Sequence, residues 1–323
     1  MQRVSFGQSY KKKPLVLAMG LFDAVHQGHR ALLKKTVSLA KAQGAVPAVF
    51  TLSDCKGAPL FTEDERAAFL AEIGIELMIV APFGEVQTLP GREFLTQLFG
   101  RFSVAFAVCG EDYRFGSAAA CGVRELKEFC AAKKIEVEVL SAVTDKSGEK
   151  ISTTRVKNAL SAGDLAAAKA LLGRNYSVSG AVRSGYKIGR TLGFPTANID
   201  LSDRFLPKAG VYAVRAVLPC NGAENFGGSE PPAGGSEKIT ASCGTYFGIA
   251  NLGAAPTVGH QSVLLEVHFD GFSGNLYGKT VTVEFLSFLR EIQKFASKAD
   301  LSLQLEKDLT RLRATAADLS EEK

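Results

Sequence analysis

The chain is poor in histidine, with four in 323 residues, and none of its six cysteines stands in a CxxC pair. A zinc centre built by the protein needs clustered His and Cys ligands, and the sequence offers little material for one. Cys55, Cys109, Cys121, Cys130, Cys220 and Cys243 follow no regular framework and read as reduced, mostly buried thiols of a cytoplasmic protein. No apolar run approaches the length of a membrane span. No dense Lys/Arg block marks a nucleic-acid face: Lys+Arg 38 against Asp+Glu 33 leaves a net charge of +5. So mild a surplus suits phosphorylated small molecules, and neither nucleic acid nor a membrane is expected as a partner. No internal repeat is visible.

What is present is ordinary for a globular protein, with 46% hydrophobic and 22% charged residues and enough length for two domains. The stretch "KKKPLVLAMGLF" mimics a signal peptide. However, its apolar run is short, Asp23 and His26 follow at once, and no small-residue cleavage pattern appears, so it reads as a buried strand.

The first half alternates strand and helix patterns. Apolar runs at Leu15–Met19, Val46–Leu52, Leu77–Ala81, Val104–Val108 and Val137–Leu140 read as buried strands. Helical patterns lie between them at Arg30–Gln43, Thr62–Ile73, Arg92–Phe99 and Val123–Lys133. This alternation predicts an α/β parallel sheet covered on both faces, with ligands at the carboxyl ends of its strands. Near Ser152 the pattern becomes two short helices, the first capped by Ser152 or Thr153 and ended by Gly163, the second capped by Asp164 and ended by Gly173. Beyond Tyr176 come short strands with Gly/Pro turns, at Ser177–Val182, Val211–Leu218, Tyr246–Asn251, Val263–Phe269 and Thr280–Phe285. These predict a small antiparallel barrel or sandwich. Asn221–Ser236 reads as a Gly/Pro/Ser-rich hairpin insertion. After Ser297 and Asp300, which form a capping box, Leu301, Leu305, Leu309 and Leu312 make one apolar stripe, so a terminal helix docks on the core.

The stretch "GLFDAVHQGHRALL" holds half of the histidines, His26 and His29, in a strand-to-helix turn. Such a turn aims free backbone N–H groups and the positive end of a helix dipole at the ligand edge of the sheet. Gly20 and Gly28 permit close backbone approach, and histidines at i and i+3 can face one side and donate to phosphate oxygens. A metal site is the weaker reading, because no further ligands cluster here; a lone histidine in this position would read as a satisfied helix-start residue. In "PTAN", Pro195 fixes the chain and keeps Phe194 extended, so Thr196 and Asn198 point to one face. Two side-chain oxygens there suit Mg²⁺, which takes few protein ligands plus nucleotide phosphates.

These segments carry a family resemblance. "GLFDAVHQGH" resembles the G-x-F-D-G-x-H-x-G-H signature of the nucleotidyltransferase superfamily, and "ISTTRVKNAL" resembles its I-S-S-T-x-I-R element. "GEDYRFG" is similar to the flavin-side segment of the prokaryotic FAD synthetase branch, while "GYKIGRTLGFPTANID" resembles the riboflavin kinase signature. "LLEVHFDGFSGNLYGKTVTVEFLSFLREIQKF" is similar to the catalytic strand of that kinase and its sequel. The whole chain thus resembles the bifunctional prokaryotic riboflavin kinase/FAD synthetase family. The resemblance implies a Rossmann-like nucleotidyltransferase domain at 1–173, and a riboflavin kinase barrel with its terminal helix at 174–323.

For the first domain it implies ATP binding by Gly20, Phe22, Asp23, His26, Gly28, His29, Ser152, Thr153, Thr154 and Arg155, with His26, His29 and Arg155 catalytic. Asp112, Arg114 and Phe115 would hold flavin. For the second it implies ATP binding by Gly185, Lys187, Gly189, Gly193, Thr196 and Asn198, Mg²⁺ on Thr196 and Asn198, and flavin at Glu266 and Arg290. Glu266 would be the general base. The expected reactions are phosphorylation of riboflavin to FMN by ATP and adenylylation of FMN to FAD with release of pyrophosphate. Three positions depart from the pattern. Ala24 replaces a Gly, the segment after Leu52 is shortened, and Ala255 replaces an Arg. Two alternatives stand beside this reading: a monofunctional riboflavin kinase with an inactive N-terminal domain, and a non-catalytic flavin- or nucleotide-binding regulator.

Overall fold

Strands buried on both faces need apolar residues at every position, and the first half supplies them. In the computed structural model, which describes residues 1–55, 57–183, 194–201, 203–218, 244–254 and 263–321, the five apolar runs and one polar edge strand form a six-stranded sheet. Its strands are β1 (Gln2–Ser5), β2 (Tyr10–Met19), β3 (Val46–Ser53), β4 (Leu77–Pro82), β5 (Phe102–Gly110) and β6 (Glu136–Leu140). They run parallel in the order β1-β4-β3-β2-β5-β6.

Alternation along β2 divides the core into two layers. Val16 and Ala18 face α1 (Gln27–Gln43) and α2 (Glu63–Ile73), meeting Leu33 and Leu70. Leu15, Leu17 and Met19 face the opposite side, where Phe94 and Leu98 of α4 (Gly91–Arg101) and Leu126 and Cys130 of α5 (Val123–Ala131) cover them. A short α3 (Phe83–Val86) follows β4. From β2 the strand order runs outward to β3 and β4 on one side and to β5 and β6 on the other, and at such a switch an open parallel sheet leaves a crevice at its carboxyl edge.

The chain divides into two compact units. One comprises Met1–Leu160, Ala167–Arg174 and Asp203–Leu206; the other comprises Ser161–Ala166, Asn175–Ser202 and Pro207–Lys323. The helices α6 (Thr153–Ala162) and α7 (Leu165–Leu172) run across this division. Gly163 and Gly173 follow them with φ of 77° and 74°, the left-handed values that let a helix stop abruptly. Within the first unit Arg204 makes a buried, two-pronged contact to Glu65 at 2.8 and 3.0 Å. Glu65 also completes the capping box of α2 with Thr62.

The second unit is a closed antiparallel barrel in the order β10-β11-β8-β7-β12-β9. The strands are β7 (Ser177–Arg183), β8 (Ala197–Ile199), β9 (Gly210–Leu218), β10 (Gly244–Ala254), β11 (Val263–Phe269) and β12 (Thr280–Arg290). Tyr212, Ala250 and Val267 fill the interior in one register row. The neighbouring positions Val211, Ala213 and Ile249 lie on the outer face and are buried as well, because Leu309 and Leu312 of α8 (Lys298–Glu321) pack on them. Ser297 starts that helix by accepting from the backbone N–H of Asp300 at 3.1 Å. The barrel and the parallel sheet are the fold the sequence predicts. Asn221–Ser236 and Ala255 lie outside the described residues.

Candidate active sites

The turn after β2 is held in an unusual backbone. Phe22 and Val25 have φ of 49° and 42°, a region costly for bulky and β-branched residues. Ala24 does not have positive φ, so a side chain at this position brings no backbone strain. The conformation is pinned from α7's end by Arg174, whose guanidinium donates to the carbonyls of Val25 (2.9 Å) and Ala24 (3.1 Å). Arg174 also lies over the rings of Phe69 and Phe61, and burial lowers its pKa to about 10, which leaves it charged at neutral pH. No motif in the sequence marks Arg174, because it acts through two backbone carbonyls.

His26 is the N-cap of α1: the backbone N–H of His29 donates to its Nδ1 at 3.2 Å. The two imidazoles stack with centroids 3.7 Å apart and planes 12° apart, and Phe22 meets His29 edge-on. An accepting Nδ1 places the proton of neutral His26 on Nε2, as a donor. Burial lowers His26 to about 4 and His29 well below its ordinary value, so both rings are neutral at pH 7. His29 Nδ1 is buried and has no hydrogen-bond partner among the described residues.

These residues open onto a cavity of about 230 Å³. Ser152 and Thr153 line it opposite His26, Gly28 and His29, so two segments more than a hundred residues apart in the sequence meet. Ser152 Oγ accepts from the backbone N–H of Arg155 (3.3 Å) and so caps α6, whose N-terminus faces the cavity. Asp112 and Lys150 line the same space and form an ion pair. Lys150 has no motif of its own and is recognisable only as the residue preceding "ISTTR".

Several expected residues sit elsewhere. Thr154 is exposed and does not line the cavity. Arg155 pairs with Asp145 and with Glu149 (3.1 Å) and donates to the carbonyls of Glu149 and Lys150, which ties it to the preceding turn. Asp23 is buried; it accepts from the N–H of Leu60 (2.9 Å) and lies 3.6 Å from Lys157 Nζ, and thereby docks the segment after β3. Arg114 packs against Gly122, and Phe115 stacks on Tyr113 and lines a different hollow of about 470 Å³ between α4 and α5.

The depressed His26 pKa has a consequence for stability. Between pH 6.5 and about 4 the unfolded chain binds a proton that the folded turn does not, so stability falls as pH drops through that window and is flat above it. At about 1.4 kcal/mol per unit, the first unit should be roughly 2 kcal/mol less stable at pH 5 than at pH 7 from this group alone. Denaturant unfolding of His26→Asn, which keeps an N-capping side chain, should show a weaker pH dependence; an unchanged dependence would contradict the assignment.

In the barrel, Glu266 on β11 is the register partner of Asn198 on β8, and on its other side of Asn251 on β10. Register partners on antiparallel strands share a face, so Asn198, Glu266 and Asn251 form one polar row outside the barrel. Leu265 and Val267 on either side of Glu266 point inward and are fully buried. Asn198 is buried, and its Oδ1 has no hydrogen-bond partner among the described residues. Burial raises the pKa of Glu266, and a hydrogen bond from the Asn251 side chain opposes the shift. The same row continues through Val211 to Arg290 on β12. Arg290 is engaged by Asp308 of α8, with Nε 2.9 Å and Nη2 2.8 Å from Oδ2, so it fastens the terminal helix. His268, two residues from Glu266, contacts the Pro195 carbonyl at 3.0 Å and the Phe194 ring edge-on, holding the start of "PTAN" against β11. Gly185, Lys187, Gly189 and Gly193 lie outside the described residues.

The two units match two families in the same order. The FAD synthetase family matches residues 8–155 and the riboflavin kinase family residues 172–316. The bifunctional riboflavin kinase/FMN adenylyltransferase of Escherichia coli (strain K12) is 32% identical over 310 residues, covering 91% of this chain and 90% of its own. The enzyme of the same name from Listeria monocytogenes is 31% identical over 319 residues, covering 95% and 94%. A crystal structure described as a macrolide-efflux protein from Streptococcus pneumoniae superposes with a TM-score of 0.80 at 26% identity, covering 96% of this chain and 98% of that one. Among the described residues of this chain, no helix is long and apolar enough to cross a membrane. With both domains matched in order and full-length relatives above 30% identity, the chain belongs to the bifunctional riboflavin kinase/FMN adenylyltransferase family.

Proposed function

We propose that the domain at 174–323 transfers the γ-phosphoryl group of ATP to the 5′-hydroxyl of riboflavin, and that the domain at 1–173 joins the resulting FMN to the AMP part of a second ATP. The observation that carries the reading is the pairing of Glu266 with Asn198 at one register position, supported by family membership of both units.

In the kinase step Glu266 accepts the hydroxyl proton as the oxygen attacks phosphorus and ADP leaves. Phosphoryl transfer relies mainly on alignment and charge stabilisation, so the base need only be ionised and correctly aimed. The residues fit Mg²⁺: Asn198 offers a buried oxygen lacking a partner among the described residues, and Thr196, two residues before it, offers a hydroxyl. When bound there with ATP, the ion would offset negative charge on the phosphates.

In the adenylyl step a phosphate oxygen of FMN attacks the α-phosphorus of ATP and pyrophosphate leaves. The nucleophile is already anionic, so no base is required. Neutral His26 offers Nε2–H, and the α6 N-terminus with Ser152 and Thr153 offers further donors to the triphosphate. Lys150, at the cavity wall, supplies positive charge once phosphate competes with Asp112 for it. Incubation of the purified protein with riboflavin, ATP and Mg²⁺, followed by chromatographic separation of flavins, should show FMN and then FAD. FMN without FAD would reduce the protein to a kinase.

A further inference from the structure

We infer that Asn251 is a positioning residue for riboflavin phosphorylation, its amide holding the Glu266 carboxylate in the orientation that receives the flavin hydroxyl proton. The inference rests on the kinase reading above. Three observations carry it. Asn251 is the register partner of Glu266 on β10, opposite the side taken by Asn198, so the carboxylate is bracketed by one amide side chain on each neighbouring strand. Its amide N–H donates to the Glu266 side chain. Finally, Asn251 is itself exposed on the outer face, while Ala250 and Leu252 beside it are buried. Its side chain therefore contributes little to the barrel core, and its polar end is directed to Glu266.

A glutamate carboxylate on an outer strand face is free to rotate about three side-chain bonds. A hydrogen bond from the Asn251 amide narrows that freedom, so the carboxylate is already aimed when the hydroxyl proton is transferred. Asn251 differs in this from Asn198, whose buried Oδ1 has no partner among the described residues and is left for ligand.

The test is steady-state riboflavin phosphorylation by full-length Asn251→Ala, Asn251→Asp and Asn251→Gln. Loss of a hydrogen bond to a charged group should lower kcat of the alanine variant by roughly 10- to 100-fold, with KM for riboflavin and ATP changed less than about threefold. Asn251→Asp keeps the shape but replaces the donor with a second carboxylate, and should fall at least as far. Asn251→Gln keeps the amide and should recover part of kcat. An alanine variant with kcat within about twofold of wild type would overturn the inference. So would a loss expressed mainly in KM, which would make Asn251 a substrate contact, or an equal loss in the alanine and glutamine variants. Wild-type protein that forms no FMN would instead refute the kinase reading. Riboflavin binding, followed by quenching of flavin fluorescence, reports an intact barrel in each variant.

Discussion

His29→Ala should stop FAD formation while FMN continues to accumulate from riboflavin. The substitution removes a ring that stacks on His26 at 3.7 Å and brings to the cavity a buried nitrogen without a partner among the described residues. The N-cap contact survives, because it uses the backbone N–H of His29 and not its side chain. The α1 start and the cavity walls should therefore persist, and the loss should fall on charge stabilisation. Removal of one preorganised donor to a developing oxyanion typically costs on the order of 10²–10³ in rate. Conversion of supplied FMN should fall by that factor, and riboflavin phosphorylation should stay within about twofold of wild type. FAD formation at the wild-type rate would show that His29 has no part in adenylyl transfer.

Asn198→Ala should give the reverse pattern. The side chain removed carries a buried oxygen without a partner among the described residues, so its loss relieves an unsatisfied polar atom and should cost the barrel little stability. Its effect on phosphorylation should be large, because one of two proposed oxygen ligands for Mg²⁺ disappears beside Glu266. A rate loss on the order of 10²-fold is expected, comparable with removal of one charge-stabilising group. The Mg²⁺ concentration needed for half-maximal rate should rise as well, which a purely structural defect would not cause. Supplied FMN should still be converted to FAD. Normal phosphorylation at ordinary Mg²⁺ would refute the assignment.

Much of the fold is legible in the residues because the decisive features are short and local. The double-sided burial of Leu15–Met19 follows from an unbroken apolar run, and the inward burial of Leu265, Val267 and Phe269 follows from strand alternation. Two strands are not legible. β1 is a four-residue polar edge, and β8 is three residues long and overlaps the end of "PTAN". Charged side chains are the least predictable part. Asp23 and Arg155 occupy motif positions, yet Asp23 anchors the backbone of Leu60 and Arg155 pairs with Asp145 and Glu149. A long or acidic side chain finds its partner through tertiary packing, which spacing along the chain does not encode. Arg174, Lys150 and Asn251 escape sequence reasoning for the same reason, since each acts on a group distant in sequence. The histidine pair is legible as a phosphate-facing turn, but not its neutral state, which arises from burial.

The central claim is that two transfers from two ATP molecules occur on one chain. It is tested most directly by supplying riboflavin with ATP labelled at either the α- or the γ-phosphorus and following label into each flavin. The account predicts γ-label in both FMN and FAD, and α-label in FAD alone, in equimolar amount with the flavin. Absence of α-label from every flavin, or of γ-label from FMN, would contradict it.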